Sequence, residues 1–135
     1  MKRTLKIELD VNITDQDIED IIVTALEGGT GYWACLDNSR PEWEEAYETE
    51  EVTSIIATRF LLEGKTLYFS DAEGEDDEIW ELTTDKLVKG IRLSVINGNT
   101  DMVDFSNSNL DVLNIDSSVA DCIIQYALFD KVVFG

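Results

Sequence analysis

The sequence predicts an α+β fold, with three or four helices packed on a small, mostly antiparallel sheet. Three observations lead there. Residues 4–12 alternate apolar and polar side chains, the period of a half-buried strand. Three segments carry apolar residues at helical i, i+3, i+4 spacing behind capping side chains. Two short β-type segments, 65–70 and 78–82, flank an acidic turn, the signature of a hairpin. The chain is 135 residues long, with 44% hydrophobic and 29% charged residues and a single proline. That fits one domain spanning 1–135, large enough to bury its own core without staples.

Taken in order, Leu5, Ile7, Leu9 and Val11 face one side of the first predicted strand, and Lys6, Glu8 and Asp10 the other. Thr14 then caps a helix, with Asp17 in a capping-box-like position three residues on. Ile18, Ile21, Ile22 and Leu26 form its buried stripe, and Gly28-Gly29 reads as its stop. Residues 32–36 form a short apolar run, a strand or a buried connection. Ser39 and Pro41 open a second helix carrying Trp43, Ala46 and Tyr47 on one side. Residues 52–62 are mostly apolar and fit helix or strand equally. In the hairpin, Leu67, Phe69, Ile79 and Trp80 are the core candidates. Thr84 and Asp85 open another helix, with Leu87, Val88, Ile91 and Val95 on one face, and Gly90 marks a point where it can break. Residues 97–109 are polar and turn-rich. Asp116 or Ser117 caps a last helix carrying Val119, Cys122, Ile123 and Tyr126, and residues 131–134 form a short terminal strand.

Charge is the most distinctive property. There are 29 acids against 10 bases, a formal net charge of −19. Such a chain repels nucleic acid and anionic membranes and favours a basic protein or a cation. Two runs concentrate the acids. Residues 42–51 hold Glu42, Glu44, Glu45, Glu48, Glu50 and Glu51; residues 71–81 hold seven acids, among them Glu75, Asp76, Asp77 and Glu78; neither run holds a base. On a helix, side chains three or four apart lie about 5–6 Å from one another. Phosphates along a nucleic-acid strand repeat on a similar scale, so a carboxylate array of this kind fits a protein's DNA groove. The plain alternative is a solvated face that keeps the protein soluble.

Other chemistry is poorly served. Histidine is absent and the two cysteines, Cys35 and Cys122, are far apart. Serine or cysteine catalysis through a histidine base is therefore excluded, and a zinc site lacks its ligands. Both thiols are expected to stay reduced, bind no metal and behave as small core residues. Gly28-Gly29-Thr30-Gly31 follows a helix rather than opening one and lacks the lysine of a phosphate loop. Residues 71–82 fail the calcium-loop pattern, with Asp76 where glycine is needed and Leu82 where glutamate is needed. No cofactor is expected. No apolar stretch reaches the roughly 20 residues of a membrane span, and no secretion signal follows the basic start, so a cytoplasmic protein is expected.

Several segments carry a family resemblance. They are Asp17-Ile18-Glu19-Asp20-Ile21-Ile22-Val23-Thr24-Ala25-Leu26-Glu27-Gly28-Gly29 with Tyr32-Trp33, Thr66-Leu67 with Asp71-Ala72-Glu73, and Trp80-Glu81-Leu82-Thr83. Near the C-terminus they are Ala120-Asp121, Gln125-Tyr126-Ala127-Leu128-Phe129 and Val133-Phe134-Gly135. Together they resemble a family of small acidic proteins encoded in phages, prophages and mobile elements of Gram-positive bacteria. The resemblance carries over no catalytic residues. It implies a genomic setting in which small accessory proteins often inhibit host defences.

The leading expectation is a non-enzymatic acidic binding protein, a nucleic-acid mimic that inhibits a basic, nucleic-acid-binding host defence protein. Glu42, Glu44, Glu45, Glu48, Glu75, Asp76, Asp77 and Glu78 would form its charged face. A second expectation is a small-ligand or nucleotide-signal binding module using Tyr32, Trp33 and the glycine loop, with Lys86, Lys89 and Arg92 as positive groups. A third is a structural accessory protein whose acidity serves only solubility.

Overall fold

The computed structural model describes residues 1–75 and 77–135, and they form an α+β fold. Helix α1 (Asp15–Thr24) starts at a full capping box: the Thr14 hydroxyl accepts the Asp17 N–H at 3.1 Å, and the Asp17 carboxylate accepts the Thr14 N–H at 2.9 Å. Ile18, Ile21 and Ile22 are buried as their spacing predicts, and Leu26 is partly buried against the same core. The helical run ends at the glycines, but not as a regular α-helix. It widens into a π turn over Ala25–Gly29, closed by the Thr30 N–H donating to the Ala25 carbonyl at 2.9 Å. Gly29 is required there, because a Cβ on it would lie 2.7 Å from the Ser117 carbonyl oxygen.

The chain then forms β1 (Ala34–Leu36) and α2 (Pro41–Tyr47), whose first turn holds its proline where no N–H is needed. Arg40, not Ser39, is the N-cap of α2. Ser39 instead donates from its N–H and hydroxyl to Asp37 at 2.9 and 2.6 Å, which holds that carboxyl below its ordinary range. The ambiguous stretch becomes α3 (Thr53–Leu62), which raises the count to five α-helices among the described residues. Its ten residues are long for a strand, and Gly64, at φ +82°, ends it in the left-handed region.

Strands β2 (Leu67–Asp71) and β3 (Ile79–Leu82) form the expected hairpin, and β1 adds antiparallel to β2 to give the order β1-β2-β3. The register pairs Phe69 with Trp80 and Leu67 with Leu82, so these four face the core. Ile79 pairs with Ser70 on the outer face and is 55% exposed, which corrects its assignment to the core. With period-2 alternation, Trp80 and Ile79 cannot both point inward.

Helix α4 (Thr84–Ile96) runs unbroken through Gly90. A Cβ at Gly90 would meet the Ile123 carbonyl oxygen at 2.3 Å and the Ala127 Cβ at 2.9 Å, so the glycine lets α4 lie directly on α5 (Ser117–Phe129). Leu87 and Ile91 are buried and Val95 partly so, whereas Val88 is exposed; the small residues Gly90 and Ser94 share the inner face in its place. Between the two helices stands a minimal hairpin, β4 (Val103–Asp104) and β5 (Asn109–Leu110). Asp116 caps α5 through the Val119 N–H at 2.9 Å.

Two predicted strands do not form. Residues 1–10 are exposed and unpaired throughout, with Leu5 and Ile7 at 82% and 78%; only Asn12 bridges Asn109. Period-2 alternation specifies a face but not a partner, and the two-residue strands β4 and β5 offer no ladder to extend. Residues 131–134 also pair with no strand. Their backbone is held by a side chain: the Val133 and Phe134 N–H groups each donate to Gln125 Oε1 at 2.8 Å. Phe134 thereby stacks on Trp33, with centroids 4.9 Å apart, in an aromatic cluster with Trp80 and Phe129.

Candidate functional site

The most elaborate polar arrangement centres on Asp121, buried on the inner face of α5. Its Oδ1 accepts the Trp33 indole N–H at 2.7 Å and the Gln125 amide at 3.1 Å, and its Oδ2 accepts the Tyr32 hydroxyl at 2.6 Å. The π turn makes this geometry. By seating Gly29 against Ser117 at the start of α5, it brings the following residues alongside the helix one turn further on. Desolvation first, then the hydrogen bond and negative charge of Asp121, push the Tyr32 phenol up to about 12. Gln125 completes the network by donating to the Phe134 carbonyl at 3.1 Å. A buried carboxylate must be hydrogen-bonded to be tolerated. Here the adjacent Tyr32 and Trp33, with Gln125 one turn along α5, meet that need, and Gln125 ties in the C-terminal segment. Asp121 and Gln125 were not singled out in the sequence. Their signal was available, since they sit four apart among the apolar residues of the α5 stripe.

This arrangement decides what Tyr32 and Trp33 do. Trp33 is 2% exposed and its one polar atom is occupied, while Tyr32 is exposed at its ring and engaged at its hydroxyl. Beside them lies a cleft of about 340 Å³ lined by Thr30, Gly31, Ala34, Leu36, Ser54 and Phe69, among others. Its charged group is Glu27, whose carboxylate accepts the Ser54 hydroxyl at 2.9 Å. The lining brings no positive side chain to the cleft. The positive groups expected to serve it lie elsewhere on α4: Lys89 pairs with Asp130 at 2.7 Å, Lys86 donates to the Glu81 carbonyl at 2.8 Å, and Arg92 is exposed.

The acidic residues occupy two places. Glu42, Glu44 and Glu45 on α2, and Glu48 at its C-cap, are all exposed and have no cation or hydrogen-bond partner among the described residues. The alternation with buried Trp43 and Ala46 forces this, because those two take the inner face. At the hairpin tip Glu75, Asp77 and Glu78 are exposed, and Asp76 lies outside the described residues. Ala34 pairs with Asp71 at the tip end of β2, whereas the Asp37 N–H donates to the Tyr68 carbonyl near the other end. Arg40 lies over the Tyr68 ring at 3.6 Å, and Trp43 meets Phe60 edge-on just before β2 begins. The chain therefore reaches α2 past the end of β2 remote from Glu75, Asp77 and Glu78, although Glu81 of the second run pairs with Tyr68 at that same end.

Cys35 is exposed on the outer face of β1, which corrects its expected burial: Ala34 beside it takes the inward position. Cys122 is half-buried, and burial, then Asp121 and Asp116, push its thiol up. Among the described residues no three histidine, cysteine, aspartate or glutamate side chains are grouped to hold a metal ion, and no helix is long and apolar enough to cross a membrane. No family model matches the chain, and no curated protein or solved structure matches it significantly.

Proposed function

We propose that this protein is a non-enzymatic binding protein of phage or mobile-element origin that engages a basic host protein through its acidic surface. In this reading it occupies the nucleic-acid-binding face of a host defence protein and so keeps nucleic acid away. One observation carries the proposal: α2 and its C-cap present Glu42, Glu44, Glu45 and Glu48 to solvent, none of them in an ion pair among the described residues. Glu44 and Glu48 are four residues apart, and Glu42 and Glu45 three, the spacings at which helix side chains adjoin. Like charges so placed cost a few tenths of a kcal/mol per pair in the free protein. A cationic partner removes that cost and associates fast and with strong salt dependence. The hairpin tip, with exposed Glu75, Asp77 and Glu78, adds a second acidic contact.

The test is capture from a Gram-positive host lysate with the wild-type protein and with a variant carrying Glu42, Glu44, Glu45 and Glu48 all changed to lysine. The proposal expects a nucleic-acid-binding protein that is eluted by salt, displaced by duplex DNA and lost with the variant. Equal capture by both proteins, or capture indifferent to competing DNA, overturns it.

A further inference from the structure

Among the described residues, the first ten form a long stretch that pairs with no other segment of the chain. Their side chains are exposed throughout, yet the pattern Leu5, Ile7, Leu9 alternating with Thr4, Lys6, Glu8 and Asp10 is that of a strand with one buried face. Lys6 Nζ lies 3.0 Å from Glu8 Oε1, so the two opposite charges of the pattern already sit together. The root of the arm is anchored, with the Asn12 N–H donating to the Ser108 carbonyl at 2.7 Å and Val11 and Ile13 packed against the core. Beyond that anchor β4 and β5 are too short to pair with it.

The arm also differs from the body in charge. It holds Lys2, Arg3 and Lys6 against Glu8 and Asp10, whereas the remaining residues carry seven bases against 27 acids. A strand bearing both signs in this order is complementary to itself. Laid antiparallel on its own copy about a two-fold axis at Ile7, the arm sets Lys6 opposite the partner's Glu8, Leu5 opposite the partner's Leu9, and Ile7 opposite itself. Shifting the register by two residues in one direction puts Lys6 against Lys6, and in the other Glu8 against Glu8. Odd shifts put apolar against charged side chains. Directly opposed side chains lie about 4.5–5.5 Å apart, so opposite charges stabilise the pairing and like charges oppose it. One register is therefore strongly preferred.

From this we infer that residues 3–11 are a dimerisation arm, paired antiparallel with the same residues of a second copy of this chain. A two-fold interface requires such self-complementarity. The paired arms bring Leu5, Ile7 and Leu9 of both copies onto one face. A groove of about 470 Å³ can receive part of that face: Asn109 bridges Asn12, and Val112 and Leu113, three and four residues further along the chain, line the groove with Val23 and Ile55, together with the acids Glu19 and Asp20. Leu113 is 94% exposed when the arm is unpaired.

Sedimentation equilibrium on the full chain, with Lys6→Glu and Glu8→Lys, tests the register. All ten arm residues are exposed, so the variants fold as the wild type does, which circular dichroism checks. The wild type is expected to dimerise, each variant alone to dimerise at least ten-fold more weakly, and an equimolar mixture to recover wild-type affinity by forming the mixed dimer. In a Cys35→Ser background, Ile7→Cys is expected to oxidise to a covalent dimer. Leu5→Cys is not, because equivalent residues there lie four positions apart in register. A wild type that stays monomeric to millimolar concentration overturns the inference, as do single variants that dimerise normally or a mixture that does not recover.

Discussion

The indole N–H of Trp33 donates at 2.7 Å to Asp121, 88 positions further along the chain, and both residues are buried. The bond places the only carboxylate of the inner α5 face under an aromatic cluster made by Trp33, Trp80, Phe129 and Phe134. It also explains why the C-terminal segment needs no strand, since Gln125, on the same network, supplies its hydrogen bonds.

Replacing Asp121 by alanine leaves the Trp33 donor buried without an acceptor and removes the partner of the Tyr32 hydroxyl. Unsatisfied buried donors cost about 1–3 kcal/mol each, so Asp121→Ala is expected to lose about 2–4 kcal/mol in urea unfolding. Asp121→Asn, which keeps one acceptor, is expected to lose less. A loss under 1 kcal/mol for the alanine variant would show that the network carries little of the stability.

Tyr32 makes the protein sensitive to alkali. Its phenol is pushed from 10.0 to about 12 in the folded state, so the folded form holds its proton more tightly than the unfolded form. The associated stability is complete below pH 10 and is lost as the pH rises from 10 towards 12. Denaturant midpoints measured across that range are expected to fall for the wild type and to fall less steeply for Tyr32→Phe. Identical slopes for the two proteins would contradict this.

Gly90→Ala is expected to destabilise, against the usual trend. In an exposed helix the change gains about 1 kcal/mol. Here the new methyl would lie 2.3 Å from the Ile123 carbonyl oxygen, and α4 and α5 must separate to admit it. Overpacking costs about 1–3 kcal/mol or more, which leaves a net loss of about 1–2 kcal/mol in thermal or urea unfolding. An unchanged midpoint would mean that the two helices part easily.

The thiols are expected to separate kinetically. Cys35 is exposed and should react with a disulfide reagent in the native protein at the rate of a free thiol. Cys122 is half-buried and its thiol is pushed up, so it holds less thiolate and should react slowly until the chain unfolds. Two equally fast thiols in the native state would argue against the packing of α5.

Local signals in the sequence determined much of this protein. The capping box at Thr14 and Asp17, the isoleucine stripe of α1, the hairpin around the acidic tip, the cap at Asp116 and the α+β class all follow from period and propensity within a few residues. The exposure of Glu42, Glu44, Glu45 and Glu48 follows equally, because Trp43 and Ala46 claim the inner face of α2. What the tertiary structure decided are relationships between distant segments. Residues 4–12, by their alternation, and residues 131–134 read as strands, but a strand exists only where another strand lies beside it, and nothing local encodes that. Gly90 reads as a weak point until α5 is laid against it, and Gly28-Gly29 as only a stop until Gly29 meets Ser117. Tyr32 and Trp33 read as ligand-facing aromatics until Asp121, from the last helix, takes both of their polar atoms. The placement of the hairpin-tip acids has the same origin, since a hydrogen-bond register, not composition, sets Asp71 beside Ala34 and Glu81 beside Tyr68.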